Sequence, residues 1–284
     1  MSIVAITGGA GNLGRQVAVL LVKRGYHVRI FDLPQADYGF ATGLPGLEIM
    51  PGDLRDPSAL SGLFSAVDWV VHLAAIMPPL SEADQNLAQS VNIEGTRAVL
   101  SAMPATSKLI LASSVATYGI AQTEIVGVDH PQQPIDYYGQ TKVTNEGDVL
   151  ASGIPAAILR ISGISVPALL EIPHPWFFTG DQNIEFIHLQ DAALAVANCV
   201  ENNETLNHIW QIAGGKAWRT TGWRYSEAIC AAYDISPESA VFMDTPNWPA
   251  WYDTTESQSR LSYQQHTLDD FIVELRQIYQ EAIG

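Results

Sequence analysis

Tyr138 and Lys142 stand four residues apart in the run Tyr138-Gly139-Gln140-Thr141-Lys142. On a helix, that spacing puts the phenol and the ammonium on one face. A cation beside a tyrosine stabilises phenolate, so Tyr138 becomes a group able to give or take a proton near neutral pH. The register selects it over its neighbour, because Tyr137 would pair with Thr141. Lysine occurs only at positions 23, 108, 142 and 216, which makes a chance pairing less frequent.

A second group lies near the start of the chain. Gly8-Gly9-Ala10-Gly11-Asn12-Leu13-Gly14 follows the apolar run Ile3–Ile6 and opens a helical pattern of Leu13, Val17, Leu20 and Leu21. Gly8 allows a tight turn, Gly11 lets backbone approach a pyrophosphate, and Gly14 lets helix pack on strand. The helix start at Asn12, Leu13 and Gly14 adds backbone N–H groups and a positive dipole end, which suit phosphates. Asp32 ends the next strand, where a carboxylate accepts from a ribose 2′-OH and repels a 2′-phosphate. No Lys or Arg lies between positions 30 and 40 to pair with such a phosphate. Together these residues describe a dinucleotide site that takes NAD in preference to NADP.

The elements that must position these groups are legible as alternating short β-rich runs and helical patterns. Strands are expected at Ile3–Ile6, His27–Phe31, Leu47–Met50, Trp69–Leu73, Lys108–Ala112, Ala156–Ile161 and His208–Ala213. Helices are expected after Leu13 (closed by Gly25) and at Pro57–Ala66, Glu82–Met103, Tyr138–Ala151, Asp191–Val200, Gly222–Ala232 and Leu268–Ala282. Pro57–Ala66 reads as a helix because Asp56 can cap it and Pro suits a first turn. The fold class is α/β: a Rossmann-type, doubly wound parallel sheet with a small C-terminal substrate-binding lobe. Residues 1–165 form the nucleotide-binding part, joined by returning segments at about 186–214. Residues 166–284 supply the lobe, where Pro167, Pro173, Pro175 and six of the seven Trp break the periodicity.

The chain's 284 residues are 47% hydrophobic and only 15% charged, against roughly 25% charged in an average domain. Fourteen Lys+Arg against thirty Asp+Glu give a net charge of −16. A chain this acidic is repelled by phosphate backbones and anionic lipid, so neither nucleic acid nor a membrane surface is an expected partner. The first residues carry no basic stretch before the apolar run and read as a strand, not a signal peptide. Cys199 and Cys230 lie far apart and outside any CxxC, which indicates neither a disulfide framework nor a zinc site. A reduced, cytoplasmic protein acting on a small molecule is expected, with no metal.

At this point the chain resembles the extended, epimerase/dehydratase-like branch of the short-chain dehydrogenase/reductase superfamily. Thr7 to Gly14 matches TGxxGxxG, Gly52-Asp53-Leu54-Arg55-Asp56 matches the GDl.D text, and His72-Leu73-Ala74-Ala75 matches HLAA. Val91 to Thr96 matches VNxxGT, Ser113 to Gly119 matches SSxxxYG, and Phe186 to Ala193 resembles FIHvdDva. The resemblance implies Asp53 and Leu54 at the adenine, Ala74 and Ala75 beside the cofactor, and Asn92 bracing a helix or shaping a proton path. It implies Ser114, Tyr138 and Lys142 as the catalytic group, with Lys142 also on the nicotinamide ribose and the Tyr138 pKa lowered by Lys142 and the positive nicotinamide. Ile76, Met77, Ser114 and Trp176 are the expected substrate contacts. His188 and Asp191 are expected to tie the two lobes together.

Two departures narrow the reaction. Val115 and Ala116 follow Ser114 where dehydratases of this branch carry an acid and a base, so dehydration by that route is not expected. Ile184-Glu185 stands where sugar-nucleotide enzymes carry Arg-Asp, so a diphosphate would need Lys216, Arg219 or Arg224. The expected function is an NAD-dependent dehydrogenase or reductase on a small or apolar secondary alcohol or ketone. The alternatives are a sugar-nucleotide 4-epimerase and, in another class, a non-catalytic NAD-binding sensor. In this family the helices around Glu82–Met103 and Tyr138–Ala151 pair across a two-fold axis, which implies a homodimer with Leu87, Val91, Val99 and Val149 as apolar contacts.

Overall fold

The computed structural model describes residues 2–60 and 62–284. Seven strands, β1 (Ile3–Thr7), β2 (His27–Asp32), β3 (Leu47–Pro51), β4 (Trp69–His72), β5 (Lys108–Ser114), β6 (Ala156–Ile161) and β7 (His208–Ile212), make one sheet. Their order is β3-β2-β1-β4-β5-β6-β7 and every pairing is parallel. All seven C-terminal ends therefore lie along one edge, and the order reverses between β1 and β4, where such sheets hold ligands. Thr7 is level with Phe31 on one side and His72 on the other, and His72 is level with Leu111.

Strand alternation sorts the core onto two faces. Val4, Ile6, Val28, Ile30, Val71 and Ile110 pack with α1 (Asn12–Lys23) and with a helix at Leu189–Glu201. Arg24 joins those two helices by donating to the side-chain amide oxygen of Asn198 at 2.8 Å. On the other face Ala5, Phe31, Val70, Leu109 and Leu111 pack with Val99 and Val149 from α2 (Gly95–Ala102) and α3 (Tyr137–Ser152). After β6 the chain builds an aromatic cluster that includes Trp176, Phe178, Phe186, Trp218 and Tyr225. It returns for β7 and then rejoins that cluster, while Leu261 and Tyr263 pack back onto the sheet.

Two expected helices differ. Pro57–Ala66 is a succession of turns, with Leu63 bonded to Leu60 and Ser65 to Gly62; Ser61 lies outside the described residues. Gly62 at φ +85° and Ala66 at φ +55° leave the helical region, yet Leu60, Leu63 and Phe64 still reach the core. Glu82–Met103 is interrupted at Asp84, whose carboxylate caps the following turn by accepting from Leu87 N–H at 2.9 Å. Residues Gln89–Glu94 then run as a π-helix, where the Thr96 hydroxyl donates to the Asn92 carbonyl at 2.5 Å. π-segments of this kind recur at functional sites.

Candidate active site

The glycine loop is packed backbone to backbone. Gly8 adopts φ +71°, and a Cβ there would lie 2.7 Å from Ala74 N. A Cβ on Gly14 would lie 2.2 Å from Gly8 O, so only glycine lets α1 start this close to β1. A Cβ on Gly11 would meet only Gly8 O, at 3.3 Å; Gly11 and Asn12 are exposed, and Leu13 is half-buried. The outer side of the loop is thus open to a phosphate at the start of the helix. Asp32 is half-buried at the end of β2, with one carboxylate oxygen on Ala10 N–H at 3.0 Å and the other on Leu33 N–H at 2.8 Å. Half-buried Ala74 and Ala75 follow β4 at the same edge. This cradle fits a dinucleotide. Asp53, after β3, is already gripped by Arg55 through Nε at 3.0 Å and Nη2 at 2.5 Å, which holds its carboxyl below the ordinary range. An adenine amino group would share that carboxylate with Arg55. Leu54 is buried against Gly95.

Ser114 ends β5, and Tyr138 and Lys142 project from the first turns of α3. The Ser114 side chain acts on the Tyr138 phenol, favouring its ionised form, and the Ser114 hydroxyl accepts from Ala116 N–H at 3.1 Å. Lys142 is buried, its ammonium donating to Ala112 O at 2.7 Å and lying 5.6 Å from the centre of the Tyr138 ring. The three side chains named from sequence are therefore brought together. Their electrostatics differ from expectation. Burial pushes the Tyr138 phenol well above its ordinary value, opposed by the Ser114 side chain and reinforced by Asp136. Burial also pulls Lys142 down to about 8, with Glu146 working the other way. Lys142 points its proton at a carbonyl, and the chain's own groups keep Tyr138 protonated.

The supports of this group were only partly visible in the sequence. Asp136 caps α3 by accepting from Gly139 N–H at 2.6 Å, a local signature. Glu82, 55 residues earlier, takes the N–H groups of Tyr137 and Tyr138 at 2.9 and 3.0 Å, and no sequence pattern announces that. Beneath Lys142, Glu146 and Arg160 form a buried ion pair at 2.7 Å, completed by Ser113, Gln132 and Tyr118. His72 lies between the hydroxyls of Thr7 and Thr96 at 2.6 and 2.9 Å. Burial, with Lys142 nearby, lowers its pKa to about 3, so it is neutral.

Asn92 is fully engaged: its side chain bonds both backbone groups of Ile76 at 2.7 and 3.0 Å and donates to the Thr141 hydroxyl at 3.2 Å. It fastens the loop after β4 to α3. Ile76 is thereby fixed beside α3, and Met77 is 62% exposed. Trp176 differs from its expected place at the substrate. It is buried in the lobe's aromatic core, stacked on Phe178 at 5.4 Å and edge-on to Tyr225 at 6.0 Å.

Ligand atoms of His188, Asp191 and His266 lie within 4.8 Å of one another. They are committed elsewhere: His188 caps Gln190 and meets Glu274 at 3.1 Å, while Asp191 binds His266 through its ring at 2.6 Å and its backbone at 3.0 Å. The group ties the start of Leu189–Glu201 to the segment leading into the terminal helix, Leu268–Ile283.

A family model described as the NAD dependent epimerase/dehydratase family matches residues 4–168. The chain belongs to that family. Its members are NAD-dependent enzymes, and NAD is the cofactor for which the cradle is built. A D-erythronate dehydrogenase from Cupriavidus necator is 34% identical over 179 residues, covering 57% of this chain and 55% of the relative. A sterol-4-alpha-carboxylate 3-dehydrogenase (decarboxylating) from Mus musculus is 33% identical over 283 residues, covering 87% of this chain and 72% of the relative. The chain thus spans only about half the length of some curated relatives it matches. Among solved structures, a short-chain dehydrogenase/reductase superfamily protein from Agrobacterium tumefaciens with bound NAD superposes with a TM-score of 0.83 at 21% identity, over 99% of this chain and 98% of that one.

Proposed function

We propose that this epimerase/dehydratase-family chain is a dehydrogenase or reductase that interconverts a secondary alcohol and a ketone on a small or apolar substrate. The observation that carries this reading is buried Lys142 with its ammonium 5.6 Å from the centre of the Tyr138 ring, and Ser114 acting on the same phenol, at the same sheet edge as the glycine loop. NAD, when bound, accepts or supplies the hydride at the substrate carbon. Tyr138 moves the hydroxyl proton; because its phenol is held protonated, it is poised as the acid that completes carbonyl reduction. Ser114 orients the substrate oxygen, and Lys142 holds the nicotinamide ribose and supplies positive charge near the phenol. Asn92 fixes the loop carrying Ile76 and Met77, which forms part of the substrate wall.

The cations of the lobe support an apolar substrate. Arg219 is held by buried Glu185 at 2.9 Å and by Tyr252 O at 2.6 Å, while Lys216 and Arg224 are exposed. Ile184 is fully buried. A substrate diphosphate could draw on Arg219 only by pulling it from its carboxylate, which leaves exposed Lys216 and Arg224 as the cations open to it and weakens the case for a nucleotide sugar. Assembly as a homodimer through α2 and α3, and residence in the reducing cytoplasm with Cys199 and Cys230 as buried free thiols, complete the reading.

The test is a panel of hydroxy acids, alicyclic alcohols and UDP-sugars with added NAD⁺, read as NADH formation. The purified protein is also denatured and assayed for retained nucleotide. Net NADH from a hydroxy acid or an alicyclic alcohol supports the dehydrogenase. Stoichiometric retained NAD, with a UDP-sugar isomerised and no net NADH, would show a 4-epimerase instead.

A further inference from the structure

The first turn of α3 leaves the N–H groups of Tyr137, Tyr138 and Gly139 with no carbonyl one turn behind them. Asp136 takes the last of these at 2.6 Å. The other two go to Glu82, whose Oε2 accepts from Tyr137 at 2.9 Å and Oε1 from Tyr138 at 3.0 Å. Oε1 also accepts from the hydroxyl of buried Ser81 at 2.9 Å, which aims the carboxylate. The carbonyl of Tyr138 is tied as well. It accepts from the Thr141 hydroxyl at 2.7 Å, and that hydroxyl accepts from Asn92 Nδ2 at 3.2 Å. Asn92 in turn holds both backbone groups of Ile76.

Both backbone polar groups of Tyr138 therefore lead to one loop, the carbonyl to its near end at Ile76 and the N–H to its far end at Glu82. Between these anchors Met77 is 62% and Leu80 48% exposed, so the pinned segment carries apolar side chains at its surface. Glu82 is itself exposed, so removing its side chain opens no core cavity and costs the fold only what a lost helix cap costs. The ring of hydrogen bonds, however, would then be open.

We propose that Glu82 is a positioning residue for the reaction, closing a hydrogen-bonded ring that holds Tyr138 and the loop 76–82 in one fixed relation, a role that rests on Tyr138 carrying the proton. A substrate seated against the loop then meets the phenol at a set distance. Without Glu82 the loop is held to α3 at its near end alone, and a displacement of about 1 Å at a reacting group can cost about 10²-fold in rate.

Amide hydrogen exchange followed by NMR reads the ring without any substrate. The Tyr137 and Tyr138 amides should be protected in the wild type and exchange at least about tenfold faster in Glu82→Ala, with Tm lowered by about 4 °C at most. On the best substrate of the panel, Glu82→Ala should lower kcat about tenfold and raise KM about threefold, while NAD⁺ affinity stays within about twofold. Glu82→Gln, whose amide oxygen still accepts, should recover most of that loss. A Glu82→Ala enzyme with wild-type kcat and KM would overturn the proposal. So would a variant that loses NAD⁺ affinity and kcat in step, because Glu82 would then only brace the fold. Tyr137 and Tyr138 amides that exchange freely in the wild type would show that the ring does not close. A wild type that protects them yet turns over no member of the panel would instead sink the dehydrogenase reading.

Discussion

Spacing put Tyr138 and Lys142 on one helix face and the family resemblance gave them a role, but neither gave their electrostatic state. The sequence supplies a cation four residues away; the structure buries both groups and aims the ammonium at Ala112 O. Desolvation then dominates at both, raising the phenol against the pull of Ser114 and lowering the amine against that of Glu146. Trp176 was misplaced for a related reason, since an aromatic side chain in a lobe looks the same from sequence whether it lines a cleft or fills a core. One consequence is a pH profile. Lys142 is charged below its pKa of about 8 and neutral above it, whereas Tyr138 stays protonated well beyond that point. Carbonyl reduction should be flat near neutrality and fall as pH rises through about 8. In Lys142→Met the rate should be lower throughout and that limb should vanish. A limb that persists in the variant would assign the titration to another group.

The strands and the glycine loop were legible because buried parallel strands leave short apolar runs and three glycines mark a close approach. The connections were less so. Gly62 in the left-handed region turned an apparent helix into successive turns, and the Asp84 cap broke another. The supports for α3 come from both kinds of signal, Asp136 from within three residues and Glu82 from across the sheet edge. The junction of β1 and α1 gives the sharpest prediction for an element. Gly14→Ala would place a methyl 2.2 Å from Gly8 O, so the helix must move away from the loop. NAD⁺ affinity measured by calorimetry should fall by at least about 10²-fold, roughly 3 kcal/mol. A Gly14→Ala protein that binds NAD⁺ normally would show that the loop does not hold the pyrophosphate.

In the whole molecule, parallel strands deliver the glycine loop, Asp32, Ala74 and Ser114 to one edge, and α3 brings Tyr138 and Lys142 there. Assembly is less directly written. Of the side chains expected between protomers, Val99 and Val149 are buried within the monomer's own core, while Leu87 and Val91 are half-buried; Leu150, which was not among those expected, is 62% exposed on α3. Light scattering should return twice the 30.8 kDa chain mass, and Leu150→Asp should shift it toward one chain. A wild-type monomer at micromolar concentration would refute the dimer. The central claim, proton transfer by Tyr138 during hydride exchange with NAD, is tested most directly by Tyr138→Phe on the best substrate of the panel. The ring stays and only the hydroxyl goes, so NAD⁺ affinity should be nearly unchanged while kcat falls by roughly 10²–10⁴. A Tyr138→Phe enzyme with near-normal kcat and the wild-type pH profile would contradict the assignment and the oxidoreductase mechanism built on it.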